Sequence, residues 1–426
     1  MTDADVAAAV ADAYRSEWTQ VLATVLRVSR DFDVAEDCVH DAFTQALSRW
    51  ERDGVPERPG AWLTTVAVRE ALQAKRRAAV AAKHLPALAV ADDGGPEDPS
   101  AGTVFAALPD DRLRLIFTCC HPGLPTDARV ALTLRLVCGL SSTEVAGAFL
   151  VKPATMQARI TRAKKRIAGA GIPYRTPTPA ELPRRLASVL DTVQLVFNAG
   201  YVATDGAELM RVDLADRAIG VARMLHELLP DEGEPAALLA MLLLTDARRA
   251  ARVGPGGALV PLDDQDRGKW DHPVIDEGLR LLRSALERGA TGRYAVLACI
   301  AAVHAEPATA AETDWPQIVE LYGVLRQRWP SPVVELNRAI AIGAAYGPAA
   351  GLTALAELAD EPELVAYPYL PAARADFLRR LGELDQAAAA YEEALLLVGN
   401  EVEAVYLRRR LAEVNAQPGQ CDGGRR

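Results

Sequence analysis

The chain is 426 residues long, half of it hydrophobic and only 5% aromatic, and its 47 Lys and Arg against 57 Asp and Glu leave a formal net charge of −10. That length exceeds one ordinary core and points to two to four domains, while an Ala/Leu-rich composition without Val/Ile/Thr alternation excludes a sheet protein and predicts an all-α fold. No apolar run approaches the thickness of a bilayer and MTDADV is not a signal-peptide start, so a cytoplasmic chain with no membrane contact is expected.

Residues 5–82 read as a small helical unit. Its helices cover Val6 to Arg27, Val34 to Trp50 and Ala61 to Val80, and the last two are separated by ERDGVPERPG, a loop broken by Gly54, Pro56, Pro59 and Gly60. Residues 83–103 form an acidic flexible linker containing Asp92, Asp93, Glu97 and Asp98, with no Lys or Arg after Lys83. It reads either as a phosphate mimic for a basic channel or as a solvated spacer.

The unit at 104–171 ends in GLSSTEVAGAFLVKPATMQARITRAKKRI, residues 139–167, which encodes two short helices. Ser141 and Glu144 make an S-x-x-E capping box, and Pro153 suits the first turn of the second helix. Met156, Ile160, Ala163 and Ile167 form its apolar stripe, so Thr155, Gln157, Arg159, Thr161, Arg162, Lys164, Lys165 and Arg166 are expected in solvent. A helix-turn-helix lays such a helix in the major groove, where Arg and Gln read base edges and Lys and Arg hold phosphates. An amphipathic surface helix is the alternative, but from Val145 to Ala180 there is no Asp or Glu, whereas solvated helices mix their signs. Residues 1–175 hold 22 Lys and Arg against 21 Asp and Glu, leaving 25 against 36 beyond, so the acidity belongs to the second half.

IPYRTPTPAELP reads as a second, proline-rich linker, followed by a helical extension domain at 183–290 and helical repeats at 291–412, with an interruption at 254–273. Gly382, Ala387, Tyr391 and Ala394 follow tetratricopeptide (TPR) hairpin spacing; Gly347 lies 35 residues before Gly382, and Ala356 and Ala359 keep the small positions. An irregular bundle is the alternative. LDDQDRGKWD gathers Asp263, Asp264, Asp266, Arg267 and Asp271; without a nucleophile, a phosphate loop or ligand spacing, a turn tied by Asp–Arg pairs is expected rather than an enzyme site. The six cysteines are scattered, and Cys119-Cys120-His121 lacks a second pair at zinc spacing. No metal and no cofactor is expected.

The first half, about residues 10–170, resembles a bacterial RNA polymerase sigma factor of the extracytoplasmic-function (ECF) type. DFDVAEDCVHDAFTQALSRW is similar to the segment that docks on the polymerase clamp, which would give Asp37, His40, Asp41 and Phe43 that role. PGAWLTTVAVREALQAKRR is similar to the segment that melts and reads the minus-ten element, implying Trp62, Thr65, Arg69, Gln73, Lys75, Arg76 and Arg77. Trp62 also fits the core, Arg69 stands where relatives often have Asn, and His40 where Gln is commoner. The helix-turn-helix is similar to the minus-thirty-five reader: Gln157, Ala158, Thr161 and Arg162 match base-facing positions, and Lys152, Thr155, Arg159, Lys164, Lys165 and Arg166 match the DNA-contacting remainder. The extension, including LDDQDRGKWD and PSPVVELNRAIAIG, is similar to that of a subgroup with tetratricopeptide-like repeats. The implied partners are core RNA polymerase, promoter DNA and a protein bound by the repeats. A stand-alone helix-turn-helix regulator with a C-terminal sensor domain is the competing reading, and it leaves the first unit unexplained.

Overall fold

Asp31 starts the second helix by accepting the backbone N–H groups of Asp33 and Val34 at 2.8 and 3.0 Å, which satisfies donors that an α-helix cannot pair internally. In the computed structural model, which describes residues 3–84, 110–202 and 208–416, every regular element among those residues is helical. The chain divides into a unit ending at Val193 and a second beginning at Gln194.

The first unit opens with α1 (Asp3–Ser29), α2 (Phe32–Asp53) and α3 (Pro59–His84), each packed on the other two. Their apolar stripes meet through Trp18, Leu22 and Leu26 of α1, Val39, Ala46 and Trp50 of α2, and Leu63, Ala67 and Ala71 of α3. The loop between α2 and α3 is shorter than its composition suggests. Glu51 to Asp53 continue α2 until Gly54, at φ 85°, returns its N–H to the Trp50 carbonyl.

Then follow α4 (Asp111–Cys119), α5 (Thr126–Leu132), a π-helical turn (Thr133–Val137), α6 (Ser142–Ala148) and α7 (Pro153–Gly169). The Ser141–Glu144 capping box is present in both directions. The π turn leaves carbonyls at its end, and α1 takes them: Trp18 Nε1 donates to Leu136 O at 3.0 Å, Thr19 Oγ1 to Val137 O at 2.7 Å and Tyr14 OH to Gly139 O at 3.0 Å. Gly139, at φ 72°, is needed there, because a Cβ would lie 3.0 Å from the Trp18 ring.

The proline-rich stretch is not a free linker. Tyr174 donates its hydroxyl to the Ala23 carbonyl of α1 at 2.8 Å, and Arg175 pairs with Glu181 at 2.8 Å. The next helix, α8 (Leu182–Tyr201), begins in the first unit and ends in the second. Its first turns complete the helix-turn-helix unit: Arg185 Nη2 donates to Phe117 O and Ser188 Oγ to Cys120 O, both at 2.6 Å, which satisfies the last carbonyls of α4.

The second unit continues with α9 (Val212–Leu228), α10 (Gly233–Asp246), α11 (His272–Glu287), α12 (Arg293–Ala305), α13 (Trp315–Arg328), α14 (Pro332–Tyr346), α15 (Pro348–Ala356), α16 (Tyr369–Leu381), α17 (Leu384–Leu397) and α18 (Glu401–Ala416). From α12 onward each packs on the next, and α10 also packs on α12. α10 is apolar all round and is buried among α9, α11 and α12. Gly382 turns between α16 and α17 in the left-handed conformation, and Ala387, Tyr391 and Ala394 are buried together with Ala375 and Leu407.

Residues 254–273 form short 3₁₀ turns rather than Asp–Arg pairs. Arg267 is buried across Trp270 and donates to the carbonyls of His304 and Pro307, both at 2.8 Å, while Asp266 caps Gly268 and Asp271 caps α11. Among the described residues no group of His, Cys, Asp and Glu could hold a metal ion. No helix among them is long and apolar enough to cross a membrane.

Candidate nucleic-acid interface

α7 buries Met156, Ile160, Ala163 and Ile167 against the unit and turns its other side outward. Lys152, Thr155, Gln157, Ala158, Arg162, Lys165 and Arg166 are exposed, and Arg159 and Thr161 are half-buried. Among the described residues α7 carries no acidic side chain. The turn leading into it is held by Leu150 at φ 52°, with Val151 N–H donating to Ala146 O at 3.0 Å.

Lys164 departs from the expected solvent stripe. Its side chain is only 10% exposed, and its ammonium is bonded to Asp33 Oδ1 at 2.6 Å and to Glu36, both on α2. Burial lowers its pKa, but Glu36 and Asp33 outweigh that and the net shift is upward, so the ammonium stays charged. Glu36 is itself buried and also pairs with Arg135 Nε at 2.7 Å. Lys164 is therefore corrected from an exposed DNA contact to the centre of an ion-pair cluster joining α7 to α2. The signal for Glu36 was available in part: it lies beside Ala35 and three residues before Val39, both buried, and a carboxylate on an apolar face needs a cation.

On α3, Trp62, Thr65, Arg69, Gln73 and Arg76 recur at three- and four-residue spacing on the side opposite Leu63, Ala67 and Ala71, with Lys75 and Arg77 flanking them. All of them are exposed except Trp62. Trp62 is half-buried, edge-on to Trp50 with ring centroids 5.7 Å apart, so one part of the indole belongs to the core. The stripe runs about four helical turns, with Arg69, Lys75, Arg76 and Arg77 toward its C-terminal end and Glu70 the one acid of the helix, a chemistry that suits a single-stranded backbone.

On α2, Asp37 and Asp41 are exposed in line with Asp33, and Thr44, Leu47 and Ser48 extend the same exposed surface. Phe43 does not belong to it. Its ring is 5% exposed and packs 5.0 Å from Tyr14 and 6.4 Å from Trp18, so the expected docking role is corrected to a core role. His40 is half-buried, 5.2 Å from Trp18; burial and then Arg135 push its pKa down, against Glu36, Asp37 and Asp41. Asp92, Asp93, Glu97 and Asp98 lie outside the described residues.

The sigma-70 region 2 family matches residues 13–80, sigma-70 region 4 matches residues 114–167, and a family of unknown function (DUF6596) matches residues 185–286. An uncharacterised protein of Rhizobium meliloti (strain 1021), R00370, is 40% identical over 400 residues, covering 94% of each chain. No solved structure matches.

Proposed function

The chain belongs to the sigma-70 family, whose members bind core RNA polymerase and recognise promoters, and on that premise we propose that α7 reads the minus-thirty-five element, α3 holds the melted minus-ten strand and the Asp37–Asp41 face of α2 docks on the polymerase clamp. The observation that carries this reading is the outward face of α7, where Gln157, Ala158 and Arg162 stand opposite a fully buried apolar stripe and Lys165 and Arg166 lie beside them. Arginine and glutamine supply base-edge contacts worth ~1–3 kcal/mol of discrimination, and lysine supplies phosphate affinity without choosing a sequence.

We further propose that the chain is a cytoplasmic ECF-type factor with a long tetratricopeptide-like extension. Neighbour-on-neighbour packing from α12 to α18 and the Gly382 hairpin support that reading, and helices stacked this way bind proteins. The extension then serves productive polymerase binding through a protein contact.

Run-off transcription with purified core polymerase on promoters from the same genome is the test. Arg162→Ala should lower transcription from the cognate promoter and leave core affinity intact, whereas Lys165→Ala should weaken all DNA binding and reduce its salt slope by about one charge. Tight promoter binding without polymerase would favour a stand-alone regulator instead, and loss of core affinity in both variants would remove α7 from the promoter.

A further inference from the structure

α9 and α11 both pack on α10, and the groove they leave over it is a cleft of about 400 Å³, a size that suits a small molecule. Three arginines line it in the acidic half of the chain, Arg223 from α9 and Arg280 and Arg288 from α11. α11 presents Glu277, Arg280, Ser284 and its capping Arg288 together because they recur at three- and four-residue spacing on one face. Arg223 is paired with Glu277 across the groove. Arg288 donates to Ser284 Oγ at 2.8 Å, which orients its guanidinium without neutralising it, and Arg280 is exposed with no ion-pair partner among the described residues. Glu227 is the remaining acid of the lining, so with the Arg223–Glu277 pair set aside two cations face one anion. Beside them His226 has a buried Nδ1 atom that no described residue bonds. Burial, then Arg288, lowers the pKa of His226 against the pull of Glu227, so near pH 7 its ring is a neutral hydrogen-bonding group.

Other arginines of this unit have structural work. Arg252 donates to the Tyr201 carbonyl and Arg267 to those of His304 and Pro307, whereas the side chains of Arg280 and Arg288 bond no main-chain carbonyl among the described residues. We propose that the cleft between α9 and α11 binds a small organic anion, a molecule whose phosphate or carboxylate group is held by Arg280 and Arg288 and whose apolar part rests on Leu281 and the aliphatic stems of the arginines. A planar guanidinium meets either oxyanion with two parallel N–H donors, and its stem covers apolar surface at the same time. The ligand also gives His226 a partner, which removes the cost of a buried polar atom left unbonded. Glu227 opposes the ligand and limits its affinity. A molecule seated this way touches α9 and α11 at once and stabilises the second unit by mass action.

The test is titration calorimetry of the full-length chain with phenyl phosphate, benzoate and inorganic phosphate, and with benzyl alcohol as the neutral probe. Saturable one-to-one binding of phenyl phosphate or benzoate is expected, and the tighter of the two identifies the head group. Inorganic phosphate should bind more weakly than phenyl phosphate, and benzyl alcohol should not bind. Arg280→Gln, at an exposed position, should weaken the tighter probe about tenfold or more, as for one lost charge-assisted contact, and leave the melting temperature of the ligand-free chain unchanged. Glu227→Gln should tighten it, a sign that general damage to the fold would not produce. The ring resonance of His226, assigned with His226→Gln, should move as the probe is added. No binding of either organic anion, benzyl alcohol or inorganic phosphate binding as tightly as phenyl phosphate, or affinities unmoved by both Arg280→Gln and Arg288→Gln would overturn the site. None of these outcomes depends on the roles proposed for α2, α3 and α7.

Discussion

Ser142 on α6 donates its hydroxyl proton to Oε1 of Gln157 on α7, at 2.5 Å. The two residues lie on either side of the turn, 15 positions apart, and the bond uses one of the two lone pairs of the glutamine amide oxygen. A glutamine reads adenine bidentately by donating to N7 and accepting from N6; the second lone pair of Oε1 remains for N6, and the Ser142 bond fixes which way the amide faces.

The expected consequence is that Ser142→Ala weakens base choice. With the amide free to turn, preference for adenine at the base facing Gln157 should fall by up to ~1–3 kcal/mol, and Gln157→Ala should abolish it. Promoter libraries randomised at that base and read by transcription would show it. A preference unchanged in Ser142→Ala would mean that the Ser142 bond is already broken on DNA or that Gln157 faces a phosphate.

Phe43 and Asp41 separate packing from docking on a single helix. Phe43→Ala should cost about 3–5 kcal/mol of stability, as for other buried aromatic rings, and should lower the melting temperature of the chain. Asp41→Asn should leave melting unchanged and weaken polymerase binding, most visibly at low salt. Thermal melts paired with polymerase pull-down distinguish the two, and a Phe43→Ala variant that melts normally yet loses polymerase would return Phe43 to the docking surface.

These two residues also show what was readable beforehand. The capping box and the stripe Met156–Ile160–Ala163–Ile167 locate α6 and α7 because both signals are local. The same periodicity contained the place of Phe43, four residues after Val39 and three before Ala46, both buried; a motif resemblance had assigned it to the surface. Lys164 was not legible in this way, since its burial depends on Glu36, 128 positions away, and spacing within α7 carries no record of that partner. Nor does proline content reveal that Tyr174 finds the Ala23 carbonyl, 151 positions back.

His304 gives the extension a pH dependence with a definite sign. Burial, then Arg248 and Arg267, push its pKa from 6.5 down to about 4. As pH falls, the unfolded chain takes up the proton first, near 6.5, while the folded form resists until about 4. Stability is therefore full above 6.5 and is lost through that window, by about 3 kcal/mol at its acid end. Asp246 and Asp263, whose pKa values burial raises, act in the opposite direction, so the readout is a difference. His304→Phe, which keeps a ring against Trp315, should melt with less dependence on pH between 7 and 4 than the wild type. Parallel melting curves would contradict the assignment.

Truncation is the decisive test of the extension, and the position of the cut matters. A chain ending after Arg175 loses Arg185 and Ser188, which satisfy the carbonyls of Phe117 and Cys120, and loses Leu186, Val189 and Leu190, which are buried in α8. Failure of that chain would report a damaged helix-turn-helix unit. A cut before Tyr369 spares all of these contacts and removes α16 to α18, including Phe377, whose ring lies directly over Gly343 and Gly351. An acidic domain tethered near basic promoter-reading helices has a high effective concentration there and could block them, yet blocking needs no stacked hairpins with their own buried cluster. The expected outcome is that removal of residues 369–426 lowers run-off transcription severalfold while binding of promoter duplex by the first unit is retained. A shortened chain that transcribes more strongly than the full-length protein would establish an inhibitory extension and end the activating one.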